Sequence, residues 1–435
     1  MLKLRRATVL QAEPPPARGE QRMTVAVSAG EPSAERRAVA DVSTVGPCRE
    51  GDEVIVNVEA LDLGLGSGGF DVVHVNLTRG LEFPGASDRN VMKLNYTSLQ
   101  HTVAPVERDG ELRVPLGRPV AVLALHGQLA PVAWAFAQGT PGGRLGYVQT
   151  AGGALPGGHS QTVAALRERG LLAGHITAGA AFGGEHEAIS VAGALYHGFG
   201  ELGWEAAVCG PGPGIVGSSS RLGHGGMTAL DSAHVALALG CPALLVARMS
   251  SGDSRARHRG ISHHTLTVLD LLLEPVTVAL PAGMRSPVGS ELRAGLGAVF
   301  GSAATERPAL SLDVERPARV TRHDWRRAEI DLPAYAASGL PAETMGRGIA
   351  ADPLFFGAAL AGGTALGQLA AVEAPAAAEE PLGSAGEALG GTGEALGGTG
   401  EALGSTGEAL GSAAQSKALG GVSERQAEDG GSEAA

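Results

Sequence analysis

The sequence has few cysteines and few aromatic residues. Cys48, Cys209 and Cys241 are the only cysteines among 435 residues, and their odd number and wide spacing argue against a disulfide framework or a thiolate zinc site. Phe, Tyr and Trp together make up 3% of the chain. The core must therefore consist mainly of Ala, Val and Leu, and base stacking on aromatic side chains has little support. We expect a cytoplasmic protein without disulfides.

Basic charge is scarce as well. The formal net charge is −12, and residues 373–435, with eleven acidic and two basic side chains, hold −9 of it. The −3 on the rest of the chain is not the basic surface that nucleic acids require. The N-terminus also lacks the apolar stretch of a signal peptide. We expect no nucleic-acid partner and no secretion, and the sequence carries no signal for a particular cofactor or oligomeric state.

Two kinds of hydrophobic pattern divide the chain. Residues 1–80 contain short runs that alternate apolar and polar side chains, which predicts a small β-barrel or β-sandwich. Residues 119–284 contain apolar runs such as RLGYVQT and EAAVCG that alternate with helical segments. This pattern predicts an α/β domain whose mostly parallel sheet has helices on both faces, with residues 81–118 as the connecting segment. Ligands bind beyond the carboxyl ends of such strands, so the loops there form the candidate ligand cleft.

The C-terminal part changes composition twice. Residues 285–372 contain an irregular segment and then an uncharged helix at 353–372 that is long enough to span a membrane. The glycines of that helix favour close packing on the body of the protein, so a membrane partner is not expected. Residues 373–435 repeat GEALGGT, whose glycines disfavour a helix. We expect a disordered acidic tail there.

The loop SSGDSRARHRGISHHT concentrates arginine and histidine between an apolar run and a predicted helix. Ser262 is placed to cap that helix. A helix start offers free N–H groups and partial positive charge, so phosphate or carboxylate is favoured beside Arg257 and Arg259. The same field should keep His263 and His264 neutral.

Two glycine-rich loops follow other predicted strands. One of them matches GxGxxG, but no helix opens directly on its glycines and no acidic residue follows at the spacing of a dinucleotide site. Backbone amides and serine hydroxyls in such loops can instead cradle an anion. The candidate residues in the two loops are Gly152, Gly153, Gly212, Gly214, Gly217 and Ser218. The chain has no HExxH, CxxC or GxSxG pattern, so neither metal ligands nor a nucleophile elbow is predicted.

Several phrases in order resemble a bacterial family known as domain of unknown function 3866. They are MKLNYTSLQ, QTAGGALP, LLAGHITAGAAFGGEHEA, GPGPGIVG, RARHRGISHHTLT and ETMGRG. The resemblance covers the body of the chain from the N-terminal strands to about Phe356. It implies a shared fold, and it supplies no catalytic residues because the family has no established activity.

Three hypotheses for function follow from these observations. The first is binding, with or without turnover, of a small anionic metabolite that bears phosphate or carboxylate. Its candidate catalytic residues are His258, His263 and His264, and its candidate ligand-binding residues are Arg257, Arg259, Ser262, Asp253 and the six residues of the glycine-rich loops. The second is a non-catalytic structural or partner-binding protein in which Asp253 and glutamates elsewhere pair with the arginines. The third is a metal-dependent hydrolase.

Overall fold

The computed structural model describes residues 2–16, 19–28, 34–64, 68–81, 89–283 and 317–373. The predicted tail beyond residue 373 and the segment 284–316 lie outside the described residues. The strands are β1 (Leu4–Ala12), β2 (Glu20–Val27), β3 (Ala34–Asp41), β4 (Glu53–Asn57), β5 (Asp71–Asn76), β6 (Val91–Lys93), β7 (His101–Val103), β8 (Val120–Val122), β9 (Leu145–Thr150), β10 (Gly174–Ala178), β11 (His186–Ala188), β12 (Ala206–Pro211), β13 (Ala243–Leu245), β14 (Met249–Ser250), β15 (Gly260–Ile261), β16 (Thr277–Pro281), β17 (Asp324–Ala328), β18 (Glu343–Thr344) and β19 (Arg347–Gly348). The helices are α1 (Val42–Val45), α2 (Glu59–Asp62), α3 (Leu129–Gly139), α4 (Gln161–Glu168), α5 (Val191–Gly200), α6 (Thr228–Ala238), α7 (His263–Leu271), α8 (Pro317–Thr321), α9 (Leu332–Ala337) and α10 (Pro353–Glu373).

Strands β1 to β5 form a closed barrel in the order β1, β2, β3, β5, β4. Alternate residues point inward, as Ala7 and Val9 do in β1 and Val54 and Val56 do in β4, and all four are buried. The polar residues between them face outward, because successive side chains of a strand lie on opposite faces. The predicted small β domain is therefore confirmed as a barrel. It contacts the loop after β9, where His159 Nε2 lies 2.9 Å from Asp41 Oδ2.

An eight-stranded sheet follows, in the order β11, β10, β9, β12, β8, β13, β16, β17. Every pair of neighbours is parallel, which confirms the predicted sheet. Both faces are apolar: Val120 and Val122 of β8 belong to one core, and Ala121 and Leu123 belong to the other. Continuous apolar runs are what a sheet covered on both sides requires.

Helices cover the two faces in a pattern that creates a crevice. Helices α5, α6, α7 and α8 contribute to one core, and α3, α4 and α10 pack mainly into the other. The helices that follow β8 and β9 therefore lie opposite those that follow β12 and β13. Strand β8 lies between β12 and β13, so the loop after β8 leads to one face of the sheet and the loops after its two neighbours lead to the other. Ligand sites of open α/β sheets lie at such switch points.

Glycines make room for one of the few large aromatic side chains. Trp204 is 2% exposed, and three glycines border its ring: Gly146, Gly174 and Gly198. A Cβ atom at Gly146 would overlap the indole. The high glycine content thus serves packing here, because a flat ring can lie directly against a bare backbone.

Helix α10 packs on the body of the protein, as predicted. Within the described residues it is the one helix long and apolar enough to cross a membrane, with a mean hydropathy of 1.5, and 72% of that stretch is buried inside the protein. It lies along α3, where a Cβ atom at Gly363 would collide with the Val132 carbonyl oxygen. The GxxxG spacing therefore serves close helix packing.

The sequence did not predict the two edge strands or the short hairpins. Strand β11 lies in a segment for which no strand is predicted, and β17 lies in the segment expected to be irregular. Strand β11 reads HEA and β17 reads DWRRA, so neither has an apolar run. Edge strands are half exposed and tolerate polar residues, which removes the signal that identifies central strands.

Candidate functional site

Three of the predicted cleft loops meet at the carboxyl edge of the sheet. Gly153 in the loop after β9 pairs with Ile215 in the loop after β12. That second loop reaches the first turn of α7, which directly follows the loop after β13, because Ser220 O lies 3.4 Å from His264 Nε2. The three loops therefore form one continuous surface at the switch point of the sheet.

The segment between β13 and α7 folds into a compact loop. Strands β14 and β15 pair at its base, and a 3₁₀ turn at Ala256–His258 lies between them. Ser262 then caps α7, as predicted: its Oγ accepts a hydrogen bond from the His264 N–H at 3.4 Å. The same Oγ lies 2.8 Å from His258 Nδ1. One buried serine thus fixes both the helix start and a histidine ring.

Four imidazoles pack together above the start of α7. The ring centroids of His263 and His264 lie 4.0 Å apart, and those of His258 lie 5.0 Å from His263 and 5.3 Å from His264. The ring of His224, from the loop after β12, stacks on His264 at 4.1 Å. Three nitrogens, one each from His258, His263 and His264, all lie within 4.8 Å of one another. The three candidate catalytic histidines are thus brought together.

These histidines are neutral at physiological pH. Burial, reinforced by neighbouring arginines, lowers the pKa of His258 to about 3 and that of His263 to about 4. Burial and the adjacent imidazoles lower the pKa of His264 to about 3, and burial and Arg248 lower that of His224 to about 4. The predicted neutrality of His263 and His264 agrees with this result. The main cause is burial, whereas the sequence suggested only the field of the helix start.

A buried network of arginines and aspartates lies beneath the imidazoles. Asp253, 1% exposed, accepts hydrogen bonds from Arg255 at 2.8 and 2.9 Å and from Arg347 at 3.4 Å. The hydrogen bond from Arg255 holds the pKa of Asp253 well below its usual range. Arg248, 3% exposed, lies 3.9 Å from the same carboxylate, and Arg347 also contacts Asp352 at 3.1 Å. Asp253 is thus engaged by arginines.

Arg257 and Arg259 point outward from this network. Both are exposed, and Arg259 donates its Nε to the Asp253 carbonyl at 2.9 Å. Arg257 makes no hydrogen bond or ion pair within the described part of the chain, although its charge lowers the pKa of the nearby His263. Arg257 therefore presents an uncompensated guanidinium beside the imidazoles.

The glycine-rich loops form the neighbouring wall. Gly152 and Gly225 approach so closely that a Cβ atom at either would strike the other backbone, and Gly217 pairs with His224. The hydroxyl of Ser218 donates a hydrogen bond to the Gly223 carbonyl at 3.1 Å and closes the turn between these two residues. Gly212 lies against Gly153 and the Gln149 amide, and Gly214 has a positive φ of 76°. These glycines join the loops by direct backbone contact.

Several site residues were not identified from the sequence: Arg248, Arg255, Arg347, Asp352, His224 and Met345. Arg347 and Met345 belong to the hairpin of β18 and β19, whose sequence is the phrase ETMGRG. This hairpin contacts Arg248 through Met345. Met345 adopts a left-handed φ of 48°, and the sulfur of Met345 lies 3.7 Å from Arg248 Nη2. A strained residue against a buried charge marks this hairpin as part of the site. The one sequence signal for this hairpin was the isolated glycine-containing turn MGRG.

Comparison with known proteins supports a family assignment. The family model described as "Protein of unknown function (DUF3866)" matches residues 37–363, three quarters of the chain. No curated protein and no solved structure matches this chain. The match begins within β3, so it leaves out β1 and β2 of the barrel, and it spans the whole described sheet and the site loops. It agrees with the resemblance seen in the sequence phrases. The chain therefore belongs to the DUF3866 family of proteins of unknown function.

Proposed function

We propose that this protein binds a small anion, bearing phosphate or carboxylate, at the arginine-lined surface above the start of α7. The observation that carries the proposal is the imbalance of charge. Two aspartates, Asp253 and Asp352, lie among five arginines that bond to the network or act on the imidazoles: Arg248, Arg255, Arg257, Arg259 and Arg347. The histidines add no charge that would change this balance.

An anion bound at this surface would balance part of the excess positive charge of the described residues. Arg257 is exposed and unpaired within the described residues, and Arg259 uses its Nε alone. Guanidinium groups bind phosphate and carboxylate through two parallel N–H donors. The start of α7 adds its partial positive charge, and its nine residues are enough for a helix end of this kind.

The pKa values favour binding over proton transfer. General bases work best when their pKa lies near the working pH, whereas His258 and His263 have pKa values of about 3 and 4. A neutral imidazole can still donate its one N–H to a bound anion. Within the first hypothesis, the site therefore supports recognition more strongly than general acid/base catalysis.

A thermal-shift experiment with inorganic phosphate tests the proposal. The wild-type protein is compared with Arg257→Ala and with Arg113→Ala, which removes an arginine whose side chain is 84% exposed in the connecting segment. Chloride at equal ionic strength controls for screening. Phosphate at about 100 times its dissociation constant should stabilise wild type and Arg113→Ala by about 2.7 kcal/mol, and Arg257→Ala much less. Equal shifts in all three proteins, or none, would refute the proposal. A large loss of stability in Arg257→Ala without phosphate binding by the wild type would favour the structural alternative.

A further inference from the structure

The three histidines of the site have a geometry that an anion site does not require. His258, His263 and His264 come from seven consecutive positions, and one nitrogen of each lies within 4.8 Å of the other two. Nitrogens bound to one tetrahedral Zn²⁺ ion, at about 2.0–2.1 Å from the metal, lie about 3.4 Å apart. Small side-chain rotations would therefore bring the three nitrogens to ligand distance. Two of the ring pairs, at 5.0 and 5.3 Å, already have the spacing of imidazoles around one ion.

Two of the three rings have a nitrogen ready to bind. A His258 tautomer that donates Nδ1–H to Ser262 Oγ, 2.8 Å away, leaves the Nε2 lone pair free. Ligand histidines commonly donate their second N–H in this way, which fixes the ring and its tautomer. His263 Nε2 is buried and has no hydrogen-bond partner within the described residues, and an unpaired buried nitrogen is costly.

The third ring would exchange a weak contact for a metal bond. His264 Nδ1 lies 3.4 Å from Arg248 Nη1, and His264 Nε2 lies 3.4 Å from Ser220 O. Both distances are at the long limit of hydrogen bonding. Release of either contact therefore costs little, and it frees a nitrogen of His264 to bind a metal ion.

We propose that His258, His263 and His264 bind one divalent first-row transition metal ion of the zinc or cobalt type. Imidazole ligands select such ions over Mg²⁺ and Ca²⁺, which prefer oxygen. Three protein ligands leave a position open for water or another ligand. The surrounding arginines favour an anion in that position, but the metal site does not rest on the proposed anion binding.

Metal titration of the full-length, tag-free protein tests this proposal. After treatment with a chelator, wild type, His263→Ala and His74→Ala are titrated with Co²⁺ in chloride buffer and followed by calorimetry and visible absorption. His74 is a half-buried histidine of the barrel and serves as the matched control. Wild type and His74→Ala should bind one Co²⁺ per chain, and His263→Ala should bind at least tenfold more weakly. Absence of stoichiometric binding in the wild type, or equal binding by His263→Ala, would overturn the proposal.

Cobalt-edge X-ray absorption of the wild type gives a test that does not depend on the folding of a variant. The spectrum should show three imidazole ligands, and a shell of oxygen ligands alone would contradict the assignment. Phosphate binding by the chelator-treated protein is measured separately. Phosphate binding without cobalt binding would support the proposed function and refute the metal site. Cobalt binding without phosphate binding would support the metal site and refute the proposed function.

Discussion

Acidification from pH 7 to pH 5 should destabilise the fold, because the half-buried His126 and the buried His175 are neutral imidazoles in the folded protein. Burial lowers the pKa of His126 to about 4 and that of His175 to about 3. His126 Nε2 lies 2.7 Å from Ser160 Oγ, and the His175 ring stacks on Tyr147 with its Nε2 atom unpaired in the described structure. A charged ring at either position would lose solvation that the core cannot replace.

The direction and size of the effect follow from proton linkage. The folded-state pKa values lie below the unfolded value of about 6.5, so the unfolded chain binds more protons as the pH falls. This contribution to stability is complete above about pH 6.5 and is lost as the pH falls toward the folded values. Each histidine costs at most about 1.36 kcal/mol per pH unit, or about 2 kcal/mol between pH 6.5 and 5. The two together cost up to about 4 kcal/mol, a large part of the usual 5–15 kcal/mol.

Urea unfolding followed by circular dichroism at pH 7, 6 and 5 measures this loss. Most carboxylates titrate below this window, so histidines dominate the change. The four site histidines, whose pKa values are also lowered, add to the loss from His126 and His175. His175→Leu keeps an apolar side chain against Tyr147 and removes one titrating group, so the loss between pH 7 and pH 5 should shrink by up to about 2 kcal/mol. A free energy of unfolding that stays constant from pH 7 to pH 5 in the wild type would refute the reasoning.

Three further predictions concern packing and the buried charges. Asp253→Asn should lower the free energy of unfolding by about 3–5 kcal/mol, because the buried Arg248 loses its carboxylate, and a change below about 1 kcal/mol in urea unfolding would contradict the network. Gly146→Ala should prevent folding or lower the melting temperature strongly, since the new methyl group overlaps Trp204. An unchanged melting temperature would show that the Trp204 ring does not pack tightly against the backbone of Gly146. Gly139→Ala is the matched control in open space at the end of α3. It should stabilise the protein by about 0.5 kcal/mol in the same assay, because alanine favours the helix, and strong destabilisation would count against the described helix end.

The parts of the fold that the sequence predicted are those with a periodic apolar pattern. The barrel strands alternate apolar and polar residues because only one face of each strand is buried. The central strands of the sheet are continuously apolar because both of their faces are buried. Strand β17 lacks both patterns, since only Trp325 and Ala328 in it are buried. Its place at the edge depends on pairing with β16, which no local pattern encodes.

The same distinction applies to the site. The cap at Ser262 and the candidates His258, His263 and His264 lie within one short segment, so local chemistry was enough to identify them. His224, which joins their rings, comes from another loop. Arg347 and Asp352 approach Asp253 from about a hundred residues away, and only the packing of α10 and its preceding hairpin brings them together. Arg248 reads as the end of an apolar strand, and its burial beside Asp253 becomes visible only in the folded structure.

Titration calorimetry with inorganic phosphate at constant ionic strength tests the central claim most directly. The wild type and Arg113→Ala should show saturable binding of one phosphate per chain. Arg257→Ala should bind about ten- to a hundredfold more weakly, as expected for the loss of a hydrogen bond to a charged group, with a melting temperature close to that of the wild type. Absence of saturable binding by the wild type, or equal affinity in Arg257→Ala, would contradict the account.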